Sequence, residues 1–105
     1  MQLYQGDVSL IKTDLLPKVK FKKLPTEGVI VAYGEVTGHT HTIVADREAI
    51  VDFGEDENGM YIKVLKGQAA IKHQEHKAIV LDVGNWVIGK QYEFDEIAEY
   101  KKVRD

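Results

Sequence analysis

The chain contains no cysteine in its 105 residues. Disulfides, thiolate-held zinc and a cysteine nucleophile are therefore excluded. Serine is almost as scarce, and a serine hydrolase would rest on Ser9 alone. No apolar run approaches the roughly 18 residues that a membrane-spanning helix needs. Met1 to Ser9 has neither the basic nor the apolar stretch of a secretory signal. A soluble, cytoplasmic protein without membrane contact is the expectation. A basic excess is missing too: 14 Lys and Arg stand against 17 Asp and Glu, for a net charge of -3. Nucleic-acid-binding modules normally show the opposite balance and a clustered basic stripe, so no nucleic-acid partner is expected. There is no glycine-rich phosphate loop, and Gly84-Asn85-Trp86-Val87-Ile88-Gly89 lacks the spacing and context for dinucleotide binding.

What remains is a chain of one-domain size with an ordinary hydrophobic fraction of 44%. Short runs rich in Val, Ile and Tyr alternate with turn-forming residues, which predicts an all-β barrel or sandwich spanning residues 1–105 as a single domain. The candidate strands are 8–12, 19–24, 28–33, 40–46, 49–53, 60–65, 69–73, 76–81 and 86–94. Turns are expected at Gly6-Asp7, Pro25-Thr26-Glu27-Gly28, Asp56-Glu57-Asn58-Gly59, Lys66-Gly67 and Val83-Gly84-Asn85, with Asn58-Gly59 the strongest hairpin signal. The tail 95–105 reads as either a short helix or an irregular segment. Leu15 and Leu16 read as a lid on the core, and Trp86, Tyr92 and Phe94 as core residues of one strand. The basic run Lys18-Val19-Lys20-Phe21-Lys22-Lys23 reads as solvent-facing lysines on an edge strand or loop.

The four histidines form two tight pairs, in Gly38-His39-Thr40-His41 and His73-Gln74-Glu75-His76. Side chains alternate along a strand, so His39 and His41 share a face with Ile43 and Ala45, while Thr40 points the other way. If Gln74-Glu75 is a hairpin loop, His73 opposes His76, Ile71 opposes Ala78, and Ala69 opposes Val80. That register also sets Lys72 against Lys77, and Gln-Glu is a poor tight-turn sequence, so a longer loop stays open. Two same-face pairs can converge on one ion. Neutral imidazole suits Zn, Fe, Ni or Cu, so a transition metal held by three or four of His39, His41, His73 and His76 is the candidate site. Glu75 is the candidate general base, or an acceptor that orients an imidazole. Glu35 and Asp46 flank the first pair as weaker carboxylate candidates. Histidines that serve only the core, or that titrate freely near pH 6–7, are the competing readings.

The run Gly34-Glu35-Val36-Thr37-Gly38-His39-Thr40-His41 resembles part of the first cupin motif, in which a glycine precedes His-x-His and an acidic ligand. Asp46 would stand for that acid, and His73 or His76 for the later histidine; no Pro-x-Gly-x-x-His motif follows. This resemblance implies a metal-bearing jelly-roll barrel. A broader one, carried by Gln5-Gly6-Asp7-Val8, the two histidine motifs and Gln91-Tyr92-Glu93, is similar to small uncharacterised proteins of bacterial and phage genomes, and it brings no activity with it. Two functions stay open at this stage. One is a metal-binding β protein, a hydrolase or related enzyme if one coordination position is open. The other is a non-enzymatic interaction or assembly module, of phage descent, with structural histidines. A small molecule or a protein partner, and self-association into a homo-oligomer, remain open with them.

Overall fold

In a computed structural model, the protein is all-β: among the described residues, ten strands form two antiparallel sheets around one core. The structure describes residues 2–33 and 38–90, and no helix occurs among them. The strands are β1 (Gln2–Gln5), β2 (Val8–Thr13), β3 (Lys22–Lys23), β4 (Val29–Tyr33), β5 (Thr40–Ala45), β6 (Ile50–Asp56), β7 (Gly59–Lys66), β8 (Ala69–Lys72), β9 (Ile79–Leu81) and β10 (Gly84–Lys90). One sheet has the order β1-β2-β10-β7-β6-β3, the other β4-β5-β8-β9. Neither closes on itself, so of the two expected architectures the sandwich is the one formed.

Alternation builds the core. Val8 and Leu10 of β2, Ile43 of β5, and Trp86 and Ile88 of β10 point inward, with Ser9 and Val87 between them at intermediate depth. Trp86 is 1% exposed, and its indole N–H donates to the Asp82 carbonyl at 3.0 Å, so the ring is buried without an unpaired polar atom.

Several expectations need correction. The segment 2–5 is a strand, paired with β2 from Gln2↔Ile11 to Gln5↔Val8. Of 19–24 only Lys22–Lys23 pairs, at the edge of the large sheet, where its lysines are exposed. The β6–β7 turn falls at Glu57-Asn58, because Asp56 pairs with Gly59. Neither central residue has positive φ; instead the Asp56 carboxylate accepts from the backbone N–H of Asn58 (2.9 Å) and Gly59 (3.1 Å) and from the Tyr61 hydroxyl (2.8 Å). A side-chain acceptor thus replaces the type I′ geometry that Asn-Gly favours. Gly84 and Asn85 open β10 and are not turn residues. Of the two leucines expected to form a lid, Leu15 is 84% exposed and caps nothing, while Leu16 is half-buried. Tyr92, Phe94 and the tail 95–105 lie outside the described residues, as do Glu35 and Thr37.

A candidate metal centre of four histidines

Three pieces of chain bring the histidines together. His41 is in β5 and His39 just precedes it. β5 pairs with β8 in a register that sets Thr42 against Lys72. One step further along this ladder places His41 beside His73, and their ring centroids are 4.4 Å apart. The third piece is the β1–β2 turn at Gly6-Asp7, where Gly6 has φ +61° and Asp7 does not have positive φ, the pattern of a type II′ hairpin. This turn brings Gln5 and Asp7 to the cluster.

The tight hairpin expected at Gln74-Glu75 does not form. β8 ends at Lys72 and β9 starts at Ile79, leaving residues 73–78 as a loop, and the ladder pairs Ala69↔Leu81, Ala70↔Val80 and Ile71↔Ile79. The expected register is off by one residue. Physical reasons are at hand: Gln-Glu is unsuited to the positive φ of a tight turn, and the longer loop separates Lys72 from Lys77. His73 and His76 still meet, by another route. His73 Nδ1 accepts the backbone N–H of Glu75 (3.0 Å) and of His76 (3.3 Å), folding the loop so that the two rings lie 4.6 Å apart. His39 and His73 are edge-on at 5.3 Å, and His41 and His76 stack at 6.3 Å.

His41 is 1% exposed, and Gln5 is 2% exposed; the two are joined. The Gln5 amide donates to the carbonyls of Ile71 (2.8 Å) and Lys77 (2.9 Å), and its Oε1 lies 2.9 Å from His41 Nδ1. Because both amide protons are used, Oε1 must accept, so His41 carries a proton on Nδ1. His41 Nε2 lies 3.6 Å from the Asp7 carboxylate. His39 Nδ1 lies 3.1 Å from Glu75 Oε1 and so carries a proton as well. Glu75, itself 62% exposed in its side chain, thereby occupies the position of an acceptor that orients His39. His73 is the opposite case: Nδ1 accepts, and the proton of the neutral ring sits on Nε2. Burial, and then the nearby His76 and His39, push the His73 pKa below its ordinary 6.5, while Glu75 and Asp7 oppose the shift.

For His41 the expected face is the one observed: His41 and Ile43 are buried, and Thr40 pairs its hydroxyl with that of Thr42 at 3.2 Å on the other side. Asp46 follows the far end of β5, about 16 Å from His41 at the rise of an extended chain; it does not join the cluster. Gln5 and Asp7 were missed by reading spacing around the histidines, since both lie more than thirty positions away in sequence. The signal for them was the Gly6-Asp7 turn, which implies a hairpin and hence a strand before it. Among the described residues, no three His, Asp or Glu side chains are already arranged to hold a metal ion.

Residues 4–91 match the model of a family described as a domain of unknown function, DUF8820. No curated protein and no solved structure matches the chain. The matched segment takes in Gln5, Asp7 and all four histidines, and with most of its length covered the chain belongs to the DUF8820 family.

Proposed function

We propose that this protein binds a transition metal ion, Zn, Fe or Ni, at the cluster of His39, His41, His73 and His76. The observation that carries the reading is the side-chain oxygen set against Nδ1 of each histidine of the first pair, Glu75 Oε1 at 3.1 Å from His39 and Gln5 Oε1 at 2.9 Å from His41. His39 and His41 each give their Nδ1 proton to a side-chain oxygen, of Glu75 and Gln5, so in the neutral rings Nε2 keeps its lone pair. Metal-binding histidines are held in this way, the second ring nitrogen tied to a carboxylate or carbonyl that fixes tautomer and orientation. Imidazole donors favour these metals over calcium or magnesium. Binding would draw the donors together by rotation about side-chain torsions, with water completing the shell. Water on such an ion is activated for hydrolysis, and Glu75 is then the base; loss of ester hydrolysis in zinc-loaded Glu75→Gln tests that step.

The untagged full chain, freed of metal by chelation and titrated with zinc against a chromophoric competitor, should take up roughly one equivalent, as a specific site does. Uptake below about a tenth of an equivalent would refute the proposal. It would favour the other reading, a non-enzymatic interaction module with structural histidines. One observation supports that alternative: His73 Nδ1 already serves as the acceptor that folds the 73–78 loop.

A further inference from the structure

We infer that the outer face of the small sheet carries a phosphate-binding pocket, formed by Thr40, Thr42, Lys72 and Gln74 and walled by Tyr33, and that its ligand is an aromatic phosphomonoester. This goes beyond the metal-binding reading and does not depend on it.

Strand alternation and register assemble the donors. His41 and Ile43 are buried against the core, so Thr40 and Thr42 stand on the opposite face of β5. Residues paired across a ladder share a face, and Thr42 pairs with Lys72 while Thr40 pairs with Tyr33. Gln74 comes from the 73–78 loop and is tied in by its Oε1, which accepts the Thr40 backbone N–H at 2.9 Å. Thr40, Thr42, Lys72, His73 and Gln74 together line a cavity of about 260 Å³. His73 belongs also to the histidine cluster, so the pocket and the cluster adjoin.

The hydrogen-bonding capacity of this lining is one-sided. The Gln74 oxygen is taken by Thr40, which leaves the NH2 group to donate. The Thr40 and Thr42 hydroxyls lie 3.2 Å apart, and their bond uses one proton and leaves the other to donate. Lys72 adds a positive charge, and among the described residues it forms no ion pair. No carboxylate of the described residues lines the cavity. An ammonium, a hydroxyl and an amide around one small space suit the tetrahedral oxygens of a phosphate, whereas a planar carboxylate is better met by the fork of an arginine. The body of the ligand follows from the neighbouring strand. Tyr33 is 69% exposed, and Ile30, which pairs with Thr42, is 44% exposed. Both stand on the face that holds the donors, and an aromatic ring stacks on a tyrosine held this far out of the core.

The test titrates the full chain, in metal-free buffer, with inorganic phosphate and with phenyl phosphate, and follows the backbone amide resonances. Both ligands should shift the amides of Thr40, Thr42, Lys72 and Gln74, and phenyl phosphate should bind more tightly. Lys72→Met should weaken both at least about tenfold, as loss of a charge-assisted bond does. Lys66→Met, which removes the same charge from the other sheet, should change affinity by less than about twofold. Gln74→Glu keeps the oxygen that holds Thr40 but replaces the amide donor with an anionic oxygen, and it should abolish binding. Tyr33→Ser should weaken phenyl phosphate and spare inorganic phosphate. Equal affinity of the parent for the two ligands overturns the aromatic ligand class. No binding of either ligand to the parent, or equal losses in Lys72→Met and Lys66→Met, overturns the pocket. Zinc uptake is measured separately, so failure of the metal reading is not mistaken for failure of this one.

Discussion

Gly6 is under two constraints at once. Its φ of +61° is a conformation that residues with a β-carbon adopt at a cost, and that carbon would meet His76 Nε2 at 2.9 Å. Gly6→Ala should therefore lower stability by about 1–2 kcal/mol and displace His76. Urea unfolding and the His76 ring resonances check the two effects separately. Asp56 makes a different prediction. Its pKa lies below the ordinary 3.8, first because the Tyr61 hydroxyl donates to it and then through the Asn58 and Gly59 N–H groups, against the cost of desolvation. The ionised form is thus favoured by folding. Its contribution is complete above pH 3.8 and is lost as pH falls through the lowered folded value. Acid unfolding monitored by Trp86 fluorescence should show a shallower decline in Asp56→Asn than in the parent; equal slopes would mean that the carboxylate does not stabilise the turn. Sequence marked Asp56 only as a turn former, because the Tyr61 hydroxyl that reaches it depends on which side of β7 faces the turn.

At the scale of elements, β3 shows how little pairing a strand-like composition guarantees. Residues 19–22 alternate apolar and basic side chains, yet of 19–24 only Lys22 and Lys23 enter the ladder, against Phe53 and Asp52. The edge stays short and charged, which guards against pairing with another chain. Replacing both lysines, Lys22→Val with Lys23→Val, should leave the fold intact and promote association, read by light scattering against concentration. The 73–78 loop makes the complementary point. The runs on either side of it, 69–71 and 79–81, are apolar and pair with each other, and both strands were legible from periodicity. Their register was not, because slipping by one residue exchanges Ala78 for Ile79 opposite Ile71, and both options keep an apolar face. The choice fell to the turn, where Gln-Glu cannot take the tight geometry and His73 supplies an acceptor instead.

Across the whole molecule, the candidate site and the core are one packed unit. Ile43, fully buried, lies two residues along β5 from His41 on the same face. Ile43→Ala should cost about 2–5 kcal/mol in urea unfolding, and it should also weaken metal uptake by loosening the strand that holds His41. Saturating zinc should raise the melting temperature of the parent, since a ligand that binds only the native state stabilises it, by about 2.7 kcal/mol at a hundredfold excess over Kd; chelator should reverse the shift. An unchanged melting temperature would contradict a site formed only on folding. The sequence by itself determined the all-β class, the absence of cysteine chemistry, and the inward face shared by His41 and Ile43, because alternation and composition are local properties. Tertiary structure decided the rest: a sandwich and not a barrel, the register of β8 on β9, and the arrival of Gln5 and Asp7 at His41. Those depend on which distant strands pair. The proton on His41 Nδ1 follows from the two carbonyls that orient the Gln5 amide, and these are 66 and 72 residues away from Gln5 along the chain.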